Sequence, residues 1–292
     1  MRFEDFARVH GVIVRDLFVS DRIRRCATVE HERSKNGAYF WDGRRGWVMA
    51  WDGDGQVHWF NDETAAPWTD AEKQEWAAKR RTASQAKERG YADASRKAQE
   101  LMRSCRPDEH GYLIRKGHRA AKGLVHTDGA LVVPMRDAQS NAVHGAQVIH
   151  WDADAMEWVK KFIYGMRAKN AVFRIGPQRA PLSVLCEGYA TGLSIAEALR
   201  QMHMAAAVVV CFSAHNLTHV APSLSGRVIA FADNDASGAG EAAAKQAAVP
   251  YCMSPLVGED ANDLHQRAGL MAVCGLIQGA ARYVTGSPAM PP

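Results

Sequence analysis

Acidic side chains follow two apolar runs of the sequence, at the point where each run ends. Glu187 comes directly after the run 182–186, and Asp233 and Asp235 follow the run 228–232. Helix-like and strand-like segments alternate between the two runs, which predicts a parallel α/β sheet covered on both faces. Because the carboxyl ends of parallel strands meet at one edge of a sheet, we expect these three carboxylates to converge.

A third acidic segment, Gly-Glu-Asp-Ala-Asn-Asp-Leu at 258–264, follows the next strand-like run and can join the same edge. Clustered carboxylates repel one another, and the usual reason for gathering them is a hard divalent cation. Mg²⁺ prefers oxygen ligands and commonly takes one or two carboxylates together with phosphate oxygens. Helix capping explains one such acid more easily than three sites. We therefore expect a site for Mg²⁺, or Mn²⁺, formed from Glu187, Asp233, Asp235, Asp260 and Asp263.

Three motifs taken together resemble the Toprim domain, which bacterial-type primases, topoisomerases and some nucleases share. They are Glu-Gly-Tyr-Ala-Thr-Gly at 187–192, Asp-Asn-Asp at 233–235 and the acidic segment 258–264. The similarity covers residues 181–280, and the helix start Gly-Ala-Gly-Glu-Ala-Ala-Ala at 238–244 is most similar to the primases of bacteria, phages and plasmids. The chain departs from many primases at Thr191, where they have an acid.

The resemblance implies a cytoplasmic DNA primase, which makes short RNA primers on single-stranded DNA from ribonucleoside triphosphates by Mg²⁺-dependent nucleotidyl transfer. It implies catalytic roles for Glu187, Asp233 and Asp235. The helix that begins beside Ser237, Gly238 and Gly240 can aim backbone N–H groups at a nucleotide phosphate. No Walker motif is present, so a replicative helicase is expected as a separate partner. Two alternatives stay open: a Toprim-family nuclease, and a non-catalytic nucleic-acid-binding replication accessory, which Thr191 favours.

Composition agrees with a nucleic-acid partner. The 292-residue chain is long enough for about two domains, and its net charge of +4 is unevenly spread. Residues 72–122 contain 14 Lys and Arg against 7 Asp and Glu, whereas the chain from residue 181 onward contains 5 against 8. A basic flank beside an acidic metal site suits a polyanion held near Mg²⁺. No long apolar run predicts a membrane span, and the six scattered cysteines indicate reduced thiols.

The first part of the chain predicts a small tryptophan-rich α+β domain over residues 1–65. A helix is expected over 3–25, followed by antiparallel strands at 39–41, 47–51 and 57–60. The position matches the zinc ribbon of related primases, but Cys26 and His31 are the only nearby ligand candidates, so no zinc is expected. A helical linker over 66–108 follows, with Thr69 as N-cap and an interruption near Gly90.

Residues 109–180 predict a curved β sheet with strands at 111–117, 131–137, 145–149, 160–165 and 173–176. This stretch resembles the basic subdomain that precedes the Toprim domain in primases. By that resemblance, four basic residues are expected to contact nucleic-acid phosphates, with Lys161 the strongest candidate: Lys116, Arg136, Lys160 and Lys161. The Toprim catalytic domain is expected over 181–283, followed by a disordered tail over 284–292.

Overall fold

A computed structural model describes residues 1–20, 22–53, 55–61 and 69–283. The chain forms two compact units, residues 1–80 and 81–292. The start of the expected linker, residues 66–68, and the expected disordered tail, residues 284–292, lie outside the described residues. Within the described part, no helix is both long enough and apolar enough to cross a bilayer.

The amino-terminal unit is built on a five-stranded antiparallel sheet. Its strands follow one another in chain order across the sheet: β1 (Val12–Ile13), β2 (Arg24–Thr28), β3 (Gly37–Trp41), β4 (Arg45–Ala50) and β5 (His58–Asn61). The three strands expected from the sequence are confirmed. Helix α1 (Phe3–Val9) packs Phe3 against Tyr39, Trp41 and Phe60 in an aromatic core.

The helix expected over residues 3–25 is wrong beyond Val9. The chain leaves the helix at His10, and Gly11 takes a left-handed conformation with φ of 74°. Glycine adopts this conformation without the steric cost that a Cβ atom imposes, and it commonly ends helices. The apolar residues that follow belong to β1 and to the segment before β2 instead of to a second helical face.

Helix α2 (Asp70–Arg103) is a single element of 34 residues. Thr69 caps it as expected: the Glu72 N–H donates to Thr69 Oγ1 at 3.3 Å, and the Thr69 N–H donates back to Glu72 Oε2 at 2.8 Å. The interruption expected near Gly90 is wrong, because the helix continues through this position. A single glycine weakens a helix by only about 1 kcal/mol, which a helix of this length tolerates.

The carboxy-terminal unit contains one ten-stranded mixed sheet. Its strands are β6 (Arg106–Asp108), β7 (Gly123–Val125), β8 (Leu131–Asp137), β9 (Val143–Asp152), β10 (Glu157–Phe162), β11 (Ala171–Ile175), β12 (Leu182–Cys186), β13 (Ala206–Val210), β14 (Arg227–Phe231) and β15 (Tyr251–Cys252). The main order is β10-β9-β8-β11-β13-β12-β14-β15, with β7 on β8 and β6 on β7. The last four strands of this order are parallel, and β11 joins them to the antiparallel part by pairing with β8 and β13.

Helices cover both faces of the parallel strands, as the sequence predicts. They are α4 (Tyr189–Gln201), α5 (Ala214–Val220), α6 (Ala239–Gln246), α7 (Ala261–Ala268) and α8 (Leu270–Tyr283), whereas α3 (Gly111–Arg115) lies on the antiparallel part. Alternate residues of β12 point to opposite faces. Val184 packs with Ile195 of α4 and Ile277 of α8, whereas Leu185 packs with Leu217 of α5.

The strand expected over 111–117 is wrong, since residues 111–115 form helix α3. The Nδ1 atom of His110 accepts from the Tyr112 N–H at 3.2 Å and so caps the helix. Tyr112 and Leu113 are buried against the antiparallel sheet and the start of α4. Successive side chains of a strand point to opposite faces, whereas Tyr112 and Leu113 are both buried in the same cluster, as a short helix allows. This packing overrides the strand propensity of the Tyr-Leu-Ile sequence.

Candidate active site

Glu187 follows β12, the strand that pairs with both β13 and β14 at the centre of the parallel sheet. Its side chain is half-buried, and burial raises the pKa of the carboxyl, as does the charge of Asp235. The backbone N–H of Ala214, in the first turn of α5, donates to this carboxylate and acts in the opposite direction. Glu187 is therefore an acid of increased proton affinity at a strand end, a property that suits a proton-transfer group.

Asp233 lies just beyond β14 and is the acid that its surroundings perturb most. Burial, and then the negative charges of four neighbouring acids, raise the pKa of Asp233 to about 7, the neighbours being Glu187, Asp260, Asp235 and Asp263. Its Oδ1 atom is buried and has no hydrogen-bond partner. The structure thus brings all five acids expected from the sequence into electrostatic contact around one underpartnered carboxyl group.

Asp235 has the opposite environment. Its Oδ1 accepts from the Ser237 hydroxyl and from the Ser237 N–H at 2.8 Å. Hydrogen bonds from the Ser237 hydroxyl, and then from the backbone N–H groups of Ser237, Ala239 and Gly240, lower the pKa of Asp235. The N–H groups expected to meet a nucleotide phosphate therefore already face this carboxylate. Nucleotide binding by Ser237, Gly238 and Gly240 stays a prediction.

Gly240 allows the close approach of α6 to this edge. A Cβ atom at residue 240 would collide with the backbone carbonyl oxygen of Asp233. The first turn of α6 therefore packs directly on the backbone that carries the most perturbed acid, and only glycine fits there without displacement.

Asp260 and Asp263 begin α7 and form a capping box. The Oδ1 atom of Asp260 accepts from the Asn262 N–H at 2.7 Å and the Asp263 N–H at 2.9 Å, while its Oδ2 accepts from the Thr191 hydroxyl at 2.8 Å. Thr191, which stands where many primases have an acid, thus neighbours Asp260 as a hydrogen-bond donor instead of a like charge.

The fit to a cation rests on Asp233. Within the described ranges, no three His, Cys, Asp or Glu side chains are grouped closely enough to hold a metal ion. Mg²⁺ commonly takes only one or two carboxylates from the protein and fills its remaining positions with water and phosphate oxygens. A buried carboxylate oxygen without a donor, surrounded by four further negative groups, fits such an ion because its charge would offset the repulsion.

Helix α3 places a lysine close to the acids. Lys116, at its carboxyl end, places Nζ 3.4 Å from Asp263 Oδ1. Burial raises the pKa of Tyr112 to about 12, and the charges of Lys116, Asp260 and Asp263 also act on it. Lys116, for which the sequence predicts contact with nucleic-acid phosphates, lies at the edge where the acids converge, and that contact stays a prediction.

A buried polar network holds the backbone at Lys116 in place. Asn262 donates through Nδ2 to the Lys116 carbonyl at 2.8 Å, and the same nitrogen lies 3.1 Å from both His118 Nε2 and Ser194 Oγ. His265 Nδ1 lies 3.1 Å from the same Ser194 hydroxyl. Asn262 belongs to the acidic segment 258–264, but no pattern in that segment indicates that its amide holds the loop after α3.

The other expected nucleic-acid contacts lie on two faces of the antiparallel strands. Lys160 pairs with Ile149, which packs on Tyr112, and Lys160 Nζ lies 5.2 Å from the centre of the Tyr112 ring. Its neighbour Lys161 pairs with Val148 on the opposite face. Arg136 pairs with Val172, which packs with α5 on that same opposite face. Of these three residues, Lys160 alone shares a face with α3.

Aromatic side chains continue the Lys160 face toward Glu187. Phe162 is exposed and packs edge to face with Phe212, with ring centres 6.0 Å apart. The Phe212 N–H donates to the Glu187 carbonyl at 3.0 Å. Phe212 itself has φ of 64°, a conformation that is strained for a bulky residue and often occurs at functional sites. Lys160, Phe162 and Phe212 therefore form a basic-aromatic strip that ends at the first acid.

In the amino-terminal unit, the two zinc-ligand candidates have other surroundings. His31 Nδ1 lies 2.7 Å from Asp52 Oδ2, and burial raises the pKa of the half-buried Cys26 thiol to about 11. A raised thiol pKa disfavours the thiolate that zinc requires. The absence of zinc stays a prediction.

Comparison with known proteins identifies one segment. A family model of the Toprim domain matches residues 182–270, which run from β12 to the start of α8 and contain all five acids. Toprim domains are usually catalytic in nucleic-acid enzymes and generally bind Mg²⁺. No curated protein and no solved structure shows significant similarity to the chain. The Toprim resemblance is thus confirmed for this segment, which is less than a third of the sequence.

Proposed function

We propose that this protein is a DNA primase of the phage or plasmid type, which synthesises short RNA primers on single-stranded DNA. The observation that favours a primase over other Toprim enzymes is the basic-aromatic strip. It begins on β10, an antiparallel strand of the sheet that contains the Toprim strands, and ends at Phe212, which follows β13 and is hydrogen-bonded to Glu187. A template strand that lies along it would reach the acidic edge without crossing a flexible connection.

The strip has the chemistry of a single-strand binding surface. Trp151 and Phe162 are 39% and 44% exposed, and Lys160 is exposed between them on the same face. Aromatic rings stack on unpaired bases, and a nearby ammonium group neutralises the phosphates, with each stacked base contributing about 1–3 kcal/mol. Such a surface binds single strands with little dependence on base sequence, as a primase template site must.

The acidic edge supplies the catalytic groups of the proposal. Asp233 and Asp235, with Asp260 or Asp263, would hold Mg²⁺ near the triphosphate. When bound, the ion would neutralise charge on the attacking and leaving oxygens. Asp233 changes protonation near neutral pH, so without a cation it is only partly charged. Glu187 provides a ligand or a proton acceptor beside it, and Lys116 offers a positive charge for phosphate oxygens.

Single-stranded DNA and ribonucleoside triphosphates are the proposed substrates, and a separate replicative helicase is the proposed partner. The test is incubation of the full-length protein with single-stranded DNA, Mg²⁺ and labelled ribonucleotides. We expect short labelled products that ribonuclease degrades and deoxyribonuclease does not. Asp233→Asn should give none, while its circular dichroism spectrum matches the wild type.

Two outcomes would refute the proposal and point to the alternatives. Shortening of end-labelled DNA by the wild type, without labelled RNA, would indicate a Toprim nuclease. Binding of single-stranded DNA with neither synthesis nor cleavage would indicate a replication accessory.

A further inference from the structure

A cavity of about 360 Å³ opens on the sheet face that carries α5. The strands β8 and β11 form its floor, with Val172 among the floor residues, and Arg136, Arg174, Asn141 and Gln178 are among its polar lining. None of the five acids of the candidate active site lines it. It is therefore a separate feature of the carboxy-terminal unit.

Arg174 is the unusual residue of this cavity. It lies within β11, paired with Val209 of β13, so its side chain leaves the middle of the sheet. Its Nη1 atom is buried without a hydrogen-bond partner, and Nη2 reaches only the Ala138 carbonyl, at 3.4 Å. Among the described residues, no carboxylate forms an ion pair with Arg174. Arg174 is half-buried, and a buried guanidinium nitrogen without a hydrogen-bond partner or an anion is costly, so such groups are normally paired.

The other groups of the cavity add to its positive character. Arg136 donates from Nη1 to the Asn141 carbonyl at 3.2 Å and keeps further donors. The one acid in the lining, Asp137, accepts from the N–H and hydroxyl of Ser140 and lies 3.7 Å from His144. An adjoining cavity of about 460 Å³ shares Arg174 and Gln178 and adds Arg179. Arg174 thus stands between two cavities whose charged lining is mainly arginine.

We propose that Arg136 and Arg174 bind a phosphate group in this cavity. Two planar guanidinium groups can each donate paired hydrogen bonds to phosphate oxygens, and such charge-assisted bonds are the strongest that arginine makes. The phosphate can come from a nucleic-acid backbone or from a free polyphosphate, since both offer the same oxygens. The inference does not depend on priming activity or on the acidic edge.

The test measures phosphate binding by the full-length protein in EDTA, so that no divalent ion can recruit the ligand to the acids. Inorganic pyrophosphate and a short single-stranded oligonucleotide serve as separate probes in calorimetric titrations. We expect Arg174→Gln to weaken binding of at least one probe by about 30-fold, because it removes one half-buried, charged partner of the anion. Arg200→Gln, which removes an exposed arginine of α4 outside the cavity, is the control and should bind like the wild type.

The two probes separate the sources of the phosphate. Weakening confined to pyrophosphate identifies a free polyphosphate, and weakening confined to the oligonucleotide identifies the nucleic-acid backbone. Arg136→Gln, at a partly exposed position, repeats the test if Arg174→Gln alters the thermal unfolding transition. Failure of the wild type to bind either probe, or unchanged binding in the folded arginine variants, would overturn the proposal. Loss of priming alone would leave it intact.

Discussion

Asp233→Asn should stabilise the protein at neutral pH, although it removes the carboxylate that the four other acids of the candidate active site surround. The pKa of Asp233 is raised from 3.8 to about 7, so the folded protein binds a proton that the unfolded chain has released. Stability is therefore lost as the pH rises from about 4 to about 7. Asparagine does not titrate, so the variant escapes this loss. At 1.36 kcal/mol per pKa unit, the full difference is roughly 4 kcal/mol at pH 8 as an upper limit.

The assay is urea unfolding in EDTA, repeated between pH 5 and pH 8. The stability of Asp233→Asn relative to the wild type should increase by roughly 3 kcal/mol across this range. Asp235→Asn is the matched control. The pKa of Asp235 is lowered by the Ser237 hydroxyl and by the N–H groups at the start of α6, so its charge stabilises the folded state above pH 4. Asp235→Asn should therefore destabilise the protein at neutral pH.

The same unfolding assay, repeated with Mg²⁺ in place of EDTA, tests whether Asp233 binds the ion. A cation that binds only the folded state stabilises it by about 2.7 kcal/mol at a hundred times its dissociation constant. Wild-type protein should gain stability from Mg²⁺ at pH 7.5, and Asp233→Asn should gain much less. Parallel stability profiles of the wild type and Asp233→Asn from pH 5 to pH 8 would refute the perturbed environment of Asp233. Equal Mg²⁺ effects in both proteins would refute its role as a ligand.

Three further predictions concern other parts of the chain. Lys160→Ala should weaken single-stranded DNA binding and reduce the slope of log affinity against log salt by about 0.7, because one phosphate contact is lost. Lys161→Ala, the residue that the sequence favoured, is its neighbour on the opposite face, and an equal effect of both changes would contradict the strip. Thr191→Val should lower the free energy of unfolding by about 1–2 kcal/mol through the lost hydrogen bond to Asp260, whereas Thr218→Val on the surface of α5 should not, as urea midpoints would reveal. Purified protein should contain no stoichiometric zinc, since aromatic packing fills the amino-terminal core, and one zinc per chain by elemental analysis would contradict this.

Short apolar runs identified the parallel strands, and two of these runs, β12 and β14, end at an acid. β12 and β14 end within a residue or two of Glu187 and Asp233, as expected from the sequence. The convergence of the acids follows from the parallel topology, which the alternation of helices and strands predicts. The topology does not predict the environment of each acid. The hydrogen bonds that Asp235 accepts, and the lack of a hydrogen-bond donor for Asp233 Oδ1, depend on how α6 packs.

The missed features depend on contacts between residues far apart in sequence. Tyr112 and Leu113 form a helix because they pack on the sheet and on α4, and nothing in their local sequence overrides strand propensity. Asn262 reaches the Lys116 carbonyl, 146 residues earlier in the chain. Arg174 is one arginine among many in the sequence, and only the burial of its Nη1 atom without a hydrogen-bond partner distinguishes it.

The position of β11 determines when the sheet can be completed during synthesis. β11 can pair with β8 as soon as both have emerged from the ribosome, but its other edge pairs with β13, which is made about 30 residues later. Until β13 arrives, β11 presents an unpaired edge with apolar side chains, the kind of edge that recruits strands from other chains. A chain that stops between β11 and β13 should therefore aggregate, even though most of its antiparallel strands are complete. β13 also pairs with β12, whose other edge waits for β14, so solubility should return only when the chain extends beyond residue 231. At that length none of the aspartates of the acidic edge has yet been made.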